Sequence, residues 1–282
     1  MSNAEQIEYW NGDAGKRWAQ EDNTMARLLS PVCEALLEHA DIQGSRKAMD
    51  IGCGGGSQSL MLAQHLGPKA SVLGVDISAP MLQVAQEKVA LAVDAAQLSF
   101  LETDASSHSF AADSFDLLFS RFGVMFFDEP VGAFSNMRSA LSDSGKLAFC
   151  CWQPLAENDW TRIPLQAALQ HVTMPETPDP HAPGPFAFAD PQRVRSILSD
   201  SGFGNIAIES FTPDIRFGEA PTLQQSVREL AMIGPVSRLL TGQDSELMEK
   251  VFGAMEEVLT PYYRDGALLL RGAIWFVTAD AA

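Results

Sequence analysis

The chain has 282 residues, 46% hydrophobic and 20% charged, a balance that supplies a sizeable core and excludes an intrinsically disordered protein. Its 19 Lys and Arg stand against 36 Asp and Glu, a formal charge of -17, so the surface repels phosphate backbones and no nucleic-acid partner is expected. No apolar stretch is long enough to cross a bilayer, residues 1–20 do not read as a secretory leader, and Cys33, Cys53, Cys150 and Cys151 form no C-x-x-C pair. A reduced, cytoplasmic protein without membrane attachment is expected.

From Lys47 onward the chain alternates apolar runs with helical patterns. Lys47–Ile51 predicts a strand ending in Gly52-Cys53-Gly54-Gly55-Gly56, and 57–65 a helix on which Leu60, Leu62, Ala63 and Leu66 recur. Ser71–Asp76 is a second strand, Ala79-Pro80 opens a helix reaching about Asp94, 98–102 is a third strand and 115–120 a fourth. Residues 130–141 form a helix closed by a turn at 142–145, and 146–152 is the fifth strand. Such alternation means right-handed βαβ units and a parallel sheet. After Trp152 the texture changes. Pro175, Pro178, Pro180, Pro183 and Pro185 predict a loop over 153–190 with one short helix near 163–171. Asp190-Pro191 starts a helix leading to Ser201-Gly202-Phe203, 206–211 is a strand, and 221–259 holds two or three helices broken at Gly234-Pro235 and Gly242. A final long strand is expected over 267–277.

The glycines after the first strand lie at the carboxyl edge of such a sheet, where open α/β folds bind ligands. A glycine-rich turn alone is a weak signal. Three carboxylates sharpen it. Asp50 precedes the glycines, Asp76 ends the second strand where it can take both ribose hydroxyls, and Asp104 follows the third in Glu102-Thr103-Asp104-Ala105, placed for an adenine amino group. Carboxylates at successive strand ends suit a ligand with a sulfonium, an ammonium and an adenosine; a diphosphate would want bare helix N-termini and cations.

On these residues the chain resembles the class I S-adenosylmethionine-dependent methyltransferases, in particular the branch similar to ubiquinone/menaquinone-biosynthesis methyltransferases. Asp50-Ile51-Gly52-Cys53-Gly54 matches the family's first motif, and Val75-Asp76-Ile77-Ser78 with Met81-Leu82 its ribose and adenine segment. Asp104-Ala105, Ser114-Phe115-Asp116 and Leu141-Ser142-Asp143-Ser144-Gly145-Lys146-Leu147 match the rest in order and spacing, over roughly residues 45–152. The resemblance implies a Rossmann-like α/β fold, a seven-stranded, mostly parallel sheet with an antiparallel last strand plus a helical cap. It divides the chain into an N-terminal helical cap (1–45), a cofactor-binding core (46–152), a Pro-rich lid (153–190), a core helix and strand (191–212), a helical insertion (213–262) and the last core strand (263–282).

The implied cofactor is S-adenosylmethionine, with S-adenosylhomocysteine as product. By resemblance, Gly52 and Gly54 pass under the methionine portion with Asp50 near its ammonium, and Asp76 binds the ribose diol. Ile77 and Met81 sandwich the adenine, Asp104 and Ala105 meet its polar edge, and Ser120 and Arg121 border the methionine moiety and the substrate. Related enzymes lay an N-terminal helix over the cofactor, so Trp10 and Trp18 either roof its methionine end or dock that helix on the core.

Departures from the family point to the acceptor. Ser120-Arg121-Phe122-Gly123-Val124-Met125-Phe126-Phe127 lacks the (Asp/Asn)-Pro-Pro-(Tyr/Phe) tetrapeptide of amine methyltransferases acting on nucleic acids, and no Pro-Cys nucleophile follows. A small, largely apolar organic acceptor is expected, with Arg121, Phe122, Trp152 and Phe186 as candidate contacts. Arg121 either pairs an acidic substrate or bonds a neighbouring carboxylate, and Trp152, Trp160, Phe186 and Phe188 cluster around the Pro-rich segment. No catalytic residue is identified. His171, His181, Tyr262 and Tyr263 are weak candidates for a general base, His108 reads as solvent-facing, and no group has metal-ligand spacing. Two other classes compete: an NAD(P)-dependent dehydrogenase, against which Asp50 and the missing third glycine of G-x-G-x-x-G count, and a non-catalytic S-adenosylmethionine-binding protein. The helices before the last strand suit a homodimer contact or burial on the core equally.

Overall fold

All four residues of β1 (Lys47–Ile51) after Lys47 are buried, as a strand covered on both faces requires. Residues 3–173, 179–217 and 222–281 are described by this computed structural model; Pro175, Pro178 and Pro221 lie outside them. Helices α1 (Asn3–Asn11), α2 (Asp13–Gln20) and α3 (Asp22–His39) precede β1, and α4 (Ser57–Leu66), β2 (Ser71–Asp76), α5 (Ala79–Lys88), β3 (Gln97–Glu102) and β4 (Phe115–Arg121) follow it. The chain continues through α6 (Pro130–Ser139), β5 (Leu141–Trp152), α7 (Asp159–Ala168), α8 (Pro191–Asp200), β6 (Phe203–Phe211) and β7 (Asp214–Phe217). It ends with α9 (Leu223–Ala231), α10 (Gly234–Leu240), α11 (Ser245–Leu259), β8 (Tyr263–Arg264), β9 (Ala267–Arg271) and β10 (Ile274–Ala281).

The chain forms two compact units. The first, drawn from residues 1–152, 181–210 and 275–282, holds the seven-stranded sheet in the order β3-β2-β1-β4-β5-β10-β6, with β10 antiparallel. Strand order reverses between β1 and β4, both parallel, so their carboxyl ends diverge and leave a crevice there. Beneath it, Phe119, Phe134, Phe149 and Phe188 are fully buried, with the Phe134 and Phe149 rings 5.8 Å apart. Each such side chain contributes roughly 1.5–3 kcal/mol by burial.

The second unit, drawn from residues 153–180 and 211–274, sets α7, α9, α10 and α11 about the small antiparallel sheet β7-β9-β8. Trp160 stacks on Phe217 at 5.7 Å, and Gly234, at φ 67°, leaves the room its ring needs. The buried Asn158 side chain ties this unit together, donating to the Gln153 and Pro154 carbonyls and accepting from Ala273 N and Trp160 Nε1.

Several expected boundaries move. The helix begun at Ala79 stops at Lys88 instead of about Asp94, because Val89–Leu91 tightens into a 3₁₀ turn and Asp94 takes a left-handed φ of 55°. Residues 142–145 are a bulge within β5, not a turn before it: Phe115 pairs with Leu141 and Leu117 with Lys146. The single long strand expected over 267–277 is two strands. Gly272 donates to the Pro213 carbonyl and breaks the run, leaving β9 in the small sheet and β10 in the large one. The 153–190 segment divides at Pro180 between the two units, and its helix is α7, four residues earlier than expected.

Candidate cofactor and acceptor site

After β1 the backbone turns under the crevice through Gly52 and Gly54, both left-handed at φ 65° and 53°. Gly52 N and Cys53 N both donate to the Val75 carbonyl at the end of β2. A Cβ on Gly52 would lie 2.8 Å from the Cα of Gly123, the residue that follows β4 and Phe122, so the two loops meet glycine to glycine. Ser120, buried at the end of β4, fastens this meeting: its hydroxyl donates to the Ile51 carbonyl at 2.8 Å and accepts from Gly123 N.

The three carboxylates have different settings. Asp76 Oδ2 accepts from Gly54 N at 2.7 Å and Oδ1 from Ser78 N at 2.9 Å, which aligns the glycine loop with the β2–α5 turn and leaves further lone pairs on both oxygens. Burial raises its pKa, against those backbone bonds. Asp104 Oδ1 accepts from Ser106 N, and Oδ2 from Asn3 Nδ2 at 2.6 Å, so α1 engages this carboxylate. Asp50 is fully buried, with Gln58 Nε2 at 2.7 Å on one oxygen and the Ser59 hydroxyl on the other. Burial pushes its carboxyl up to about 7, against those two bonds and the nearby Arg121 charge. The structure therefore places Asp50 beneath the glycine loop, where it braces α4 against β1.

Ile77, Met81 and Ala105 line the same edge. Met81 Cε lies 3.2 Å from where a Cβ on Gly54 would stand, and the Ala105 carbonyl accepts from Asn136, which also holds the His108 carbonyl. His108 is half-buried, with Nδ1 2.9 Å from the Thr103 hydroxyl and its ring on Phe110, and so is not the solvent-facing residue expected.

The N-terminal helices bind this edge through contacts that the sequence did not announce. Asn11 Nδ2 donates to the Ile77 carbonyl at 2.8 Å while its Oδ1 accepts from Ala79 N at 2.9 Å, capping α5 from another helix. Ser78 Oγ donates to the Trp10 carbonyl at 2.7 Å, and Gly15 is required because a side chain there would strike that carbonyl. Lys88 Nζ bonds both Asp22 Oδ2 (2.6 Å) and the Gly55 carbonyl in a nearly buried pair, fastening α3 to the glycine loop. Trp10 stands edge-on to Phe126 at 5.5 Å and to Trp18 at 6.1 Å, while Trp18 remains 37% exposed.

At the end of β4, Phe122 holds a left-handed φ of 63°, an uncommon and strained conformation for a bulky side chain. A bond from Phe122 N to the Cys150 carbonyl and a parallel stack on Trp152, centroids 4.3 Å apart, hold it there. Arg121 beside it has Nε and Nη1 buried without a hydrogen-bond partner among the described residues. Its positive charge reaches Asp50, Cys33 and Cys150, lowering the pKa of each against a larger upward push from burial, which leaves the Cys33 thiol at about 12. Of the other candidates, Phe186 is half-buried and Phe188 belongs to the aromatic core, while Trp160 lies in the second unit. His171, Tyr262 and Tyr263 also belong to the second unit and His181 to the first, with both histidines exposed.

These residues fit an adenosylated sulfonium: a glycine cradle too close for side chains, and carboxylates with free lone pairs. A family model described as a methyltransferase domain matches residues 48–145. Aklanonic acid methyltransferase DauC of Streptomyces sp. (strain C5) is 29% identical over 163 residues, 54% of this chain and 74% of that protein. A demethylmenaquinone methyltransferase of Staphylococcus epidermidis is 25% identical over 186 residues, 61% and 73% of the two chains. Among solved structures, phosphoethanolamine N-methyltransferase 2 of Haemonchus contortus, in complex with S-adenosyl-L-methionine, shares the fold at a TM-score of 0.59 and 18% identity, covering 98% of this chain and 59% of that one. Residues 48–145 thus match a methyltransferase domain, and the chain is similar to the class I S-adenosylmethionine-dependent methyltransferases. Within that class it is similar to the quinone-biosynthesis branch, and its cofactor is S-adenosylmethionine. No described helix is long and apolar enough to cross a membrane.

Proposed function

We propose that this methyltransferase acts on a small, largely apolar organic acceptor carrying an anionic group, held beside the Phe122–Trp152 stack with Arg121 answering the anion. The carrying observation is the strained Phe122, stacked at 4.3 Å on Trp152 and adjacent to a guanidinium whose buried Nε and Nη1 lack partners. Unsatisfied buried donors imply a missing acceptor, and a carboxylate or enolate fits the planar fork of an arginine. Relatives named for aklanonic acid and demethylmenaquinone support a small organic acceptor.

The cofactor supplies an already activated methyl group on its sulfonium. What the chain adds is alignment: the glycine loop and Asp76 fix the donor side, while Phe122, Trp152 and Arg121 orient the nucleophile opposite the departing thioether. An anionic oxygen needs no general base. Four unpaired, buried cysteines support the reducing cytoplasm as its setting.

Release of S-adenosylhomocysteine, measured across acceptors that share a ring system but differ in carrying a carboxylate, an enol or neither, tests the reading. Turnover is expected for the anionic members and should fall at least tenfold in Arg121→Met. Equal turnover of neutral and anionic acceptors would overturn it, as would salt-sensitive retention on DNA or RNA in a shift assay, given the charge of -17.

A further inference from the structure

Helix α1 carries a donor that no described residue satisfies. Gln6 is only 3% exposed, and its Oε1 accepts from Trp10 Nε1 at 3.1 Å. An indole N–H can only donate, so this bond fixes the amide: Oε1 faces Trp10 and Nε2 faces away. Nε2 is buried and has no partner. The bond to Trp10 accounts for Oε1 but not for the buried Nε2, which needs an acceptor to explain it.

Neighbours on the same helix face locate the orphan nitrogen. Positions 3, 6 and 10 share one stripe of α1. At one end Asn3 Nδ2 bonds Asp104 Oδ2 at 2.6 Å and Ser106 Oγ at 2.8 Å, just beyond β3. At the other, the Trp10 carbonyl accepts from Ser78 beyond β2, and the Trp10 ring meets Phe126 beyond β4. Gln6 therefore sits between the carboxylate assigned to adenine and the turn that follows the carboxylate assigned to ribose. We propose that Gln6 Nε2 donates to an acceptor atom of the cofactor's adenosine, a ribose oxygen or a ring nitrogen, which makes α1 part of the adenosine site. The cofactor's ammonium has no lone pair, and its positively charged sulfonium is not a hydrogen-bond acceptor for it. The proposal rests on the placement of ribose at Asp76 and adenine at Asp104.

Two substitutions separate the donor from mere packing. Gln6→Leu removes the whole amide, and Gln6→Glu keeps an acceptor for Trp10 Nε1 but carries no donor when ionised. Calorimetric titration uses S-adenosylhomocysteine and 5′-methylthioadenosine, which shares the adenosine and lacks the amino-acid end. Both variants should bind both ligands about tenfold more weakly, the loss of one hydrogen bond. Unchanged affinity in either variant overturns the proposal, and so does a fall confined to S-adenosylhomocysteine, which would place the donor at the amino-acid end. Asp76→Ala serves as the reference. If it weakens both ligands while the Gln6 variants do not, only the Gln6 inference fails; if it leaves both unchanged, the ribose placement fails and the inference with it.

Discussion

Asp50→Asn should remove a pH dependence of stability that the unaltered protein carries. Burial raises the Asp50 carboxyl from 3.8 to about 7, with the Ser59 and Gln58 bonds and the Arg121 charge pulling down and Asp76 adding a smaller upward push. In the unfolded chain the same group titrates near its ordinary value. Between the two, the native state keeps a proton that the unfolded state releases, so stability from this group is complete below about pH 4 and is lost as pH rises through 7. At 1.36 kcal/mol per pH unit from 3.8 to about 7, the loss is about 4 kcal/mol, roughly 3 of it between pH 5 and 7. Asparagine keeps the shape of the site: its Oδ1 can accept from Gln58 and its Nδ2 can donate to the Ser59 oxygen, with no charge to desolvate. Urea denaturation of both proteins from pH 5 to 8 gives the difference directly, because the other titrating groups cancel. The variant should gain on the parent by about 3 kcal/mol over that range. A difference that stays flat, or falls with pH, would refute burial as the dominant influence on Asp50.

Asp76→Ala should weaken S-adenosylhomocysteine binding by about 1.5–3 kcal/mol, the worth of a charge-assisted hydrogen bond to the ribose, measured by calorimetry. Lys88→Met leaves the Asp22 carboxylate and the Gly55 carbonyl without their shared donor, and should lower unfolding stability by about 3 kcal/mol in chemical denaturation. Hydrogen exchange with and without S-adenosylhomocysteine should slow over residues 5–20, where Asn11 and Trp10 meet the β2–α5 turn; equal rates would disconnect these helices from the cofactor.

The sheet and the cofactor motif were legible because they are written in contiguous residues. A parallel strand buried on both faces reads as an apolar run, and β1 and β2 fall where such runs do. The glycines announce the turn because only close backbone approach demands them, as at Gly52 against Gly123. What stayed hidden joins positions far apart. Asp22 and Lys88 are 66 residues apart, as are Asn11 and Ile77, and each of these polar residues looks in sequence like part of a solvated helix face. The break at Gly272 was hidden for another reason: both sides are continuous apolar runs, although one side joins the small sheet and the other the large one. Asp50 was visible as a residue but not as a buried one, since its partners Gln58 and Ser59 belong to a helix whose orientation no spacing reveals.

Those hidden contacts share a destination. Asp22 reaches Gly55 through Lys88, Asn11 holds the backbone from Ile77 to Ala79, Trp10 meets Ser78, and Asn3 meets Asp104. Every one lands on a loop that carries a proposed cofactor contact. Docking of α1–α3 and binding of S-adenosylmethionine therefore act on the same loop positions, and a ligand that favours the docked arrangement must be favoured by it in return. The reciprocity gives the N-terminal helices a thermodynamic role that aromatic roofing alone does not. Variants that loosen them without touching the cofactor should lose affinity by the factor with which the cofactor would have tightened them.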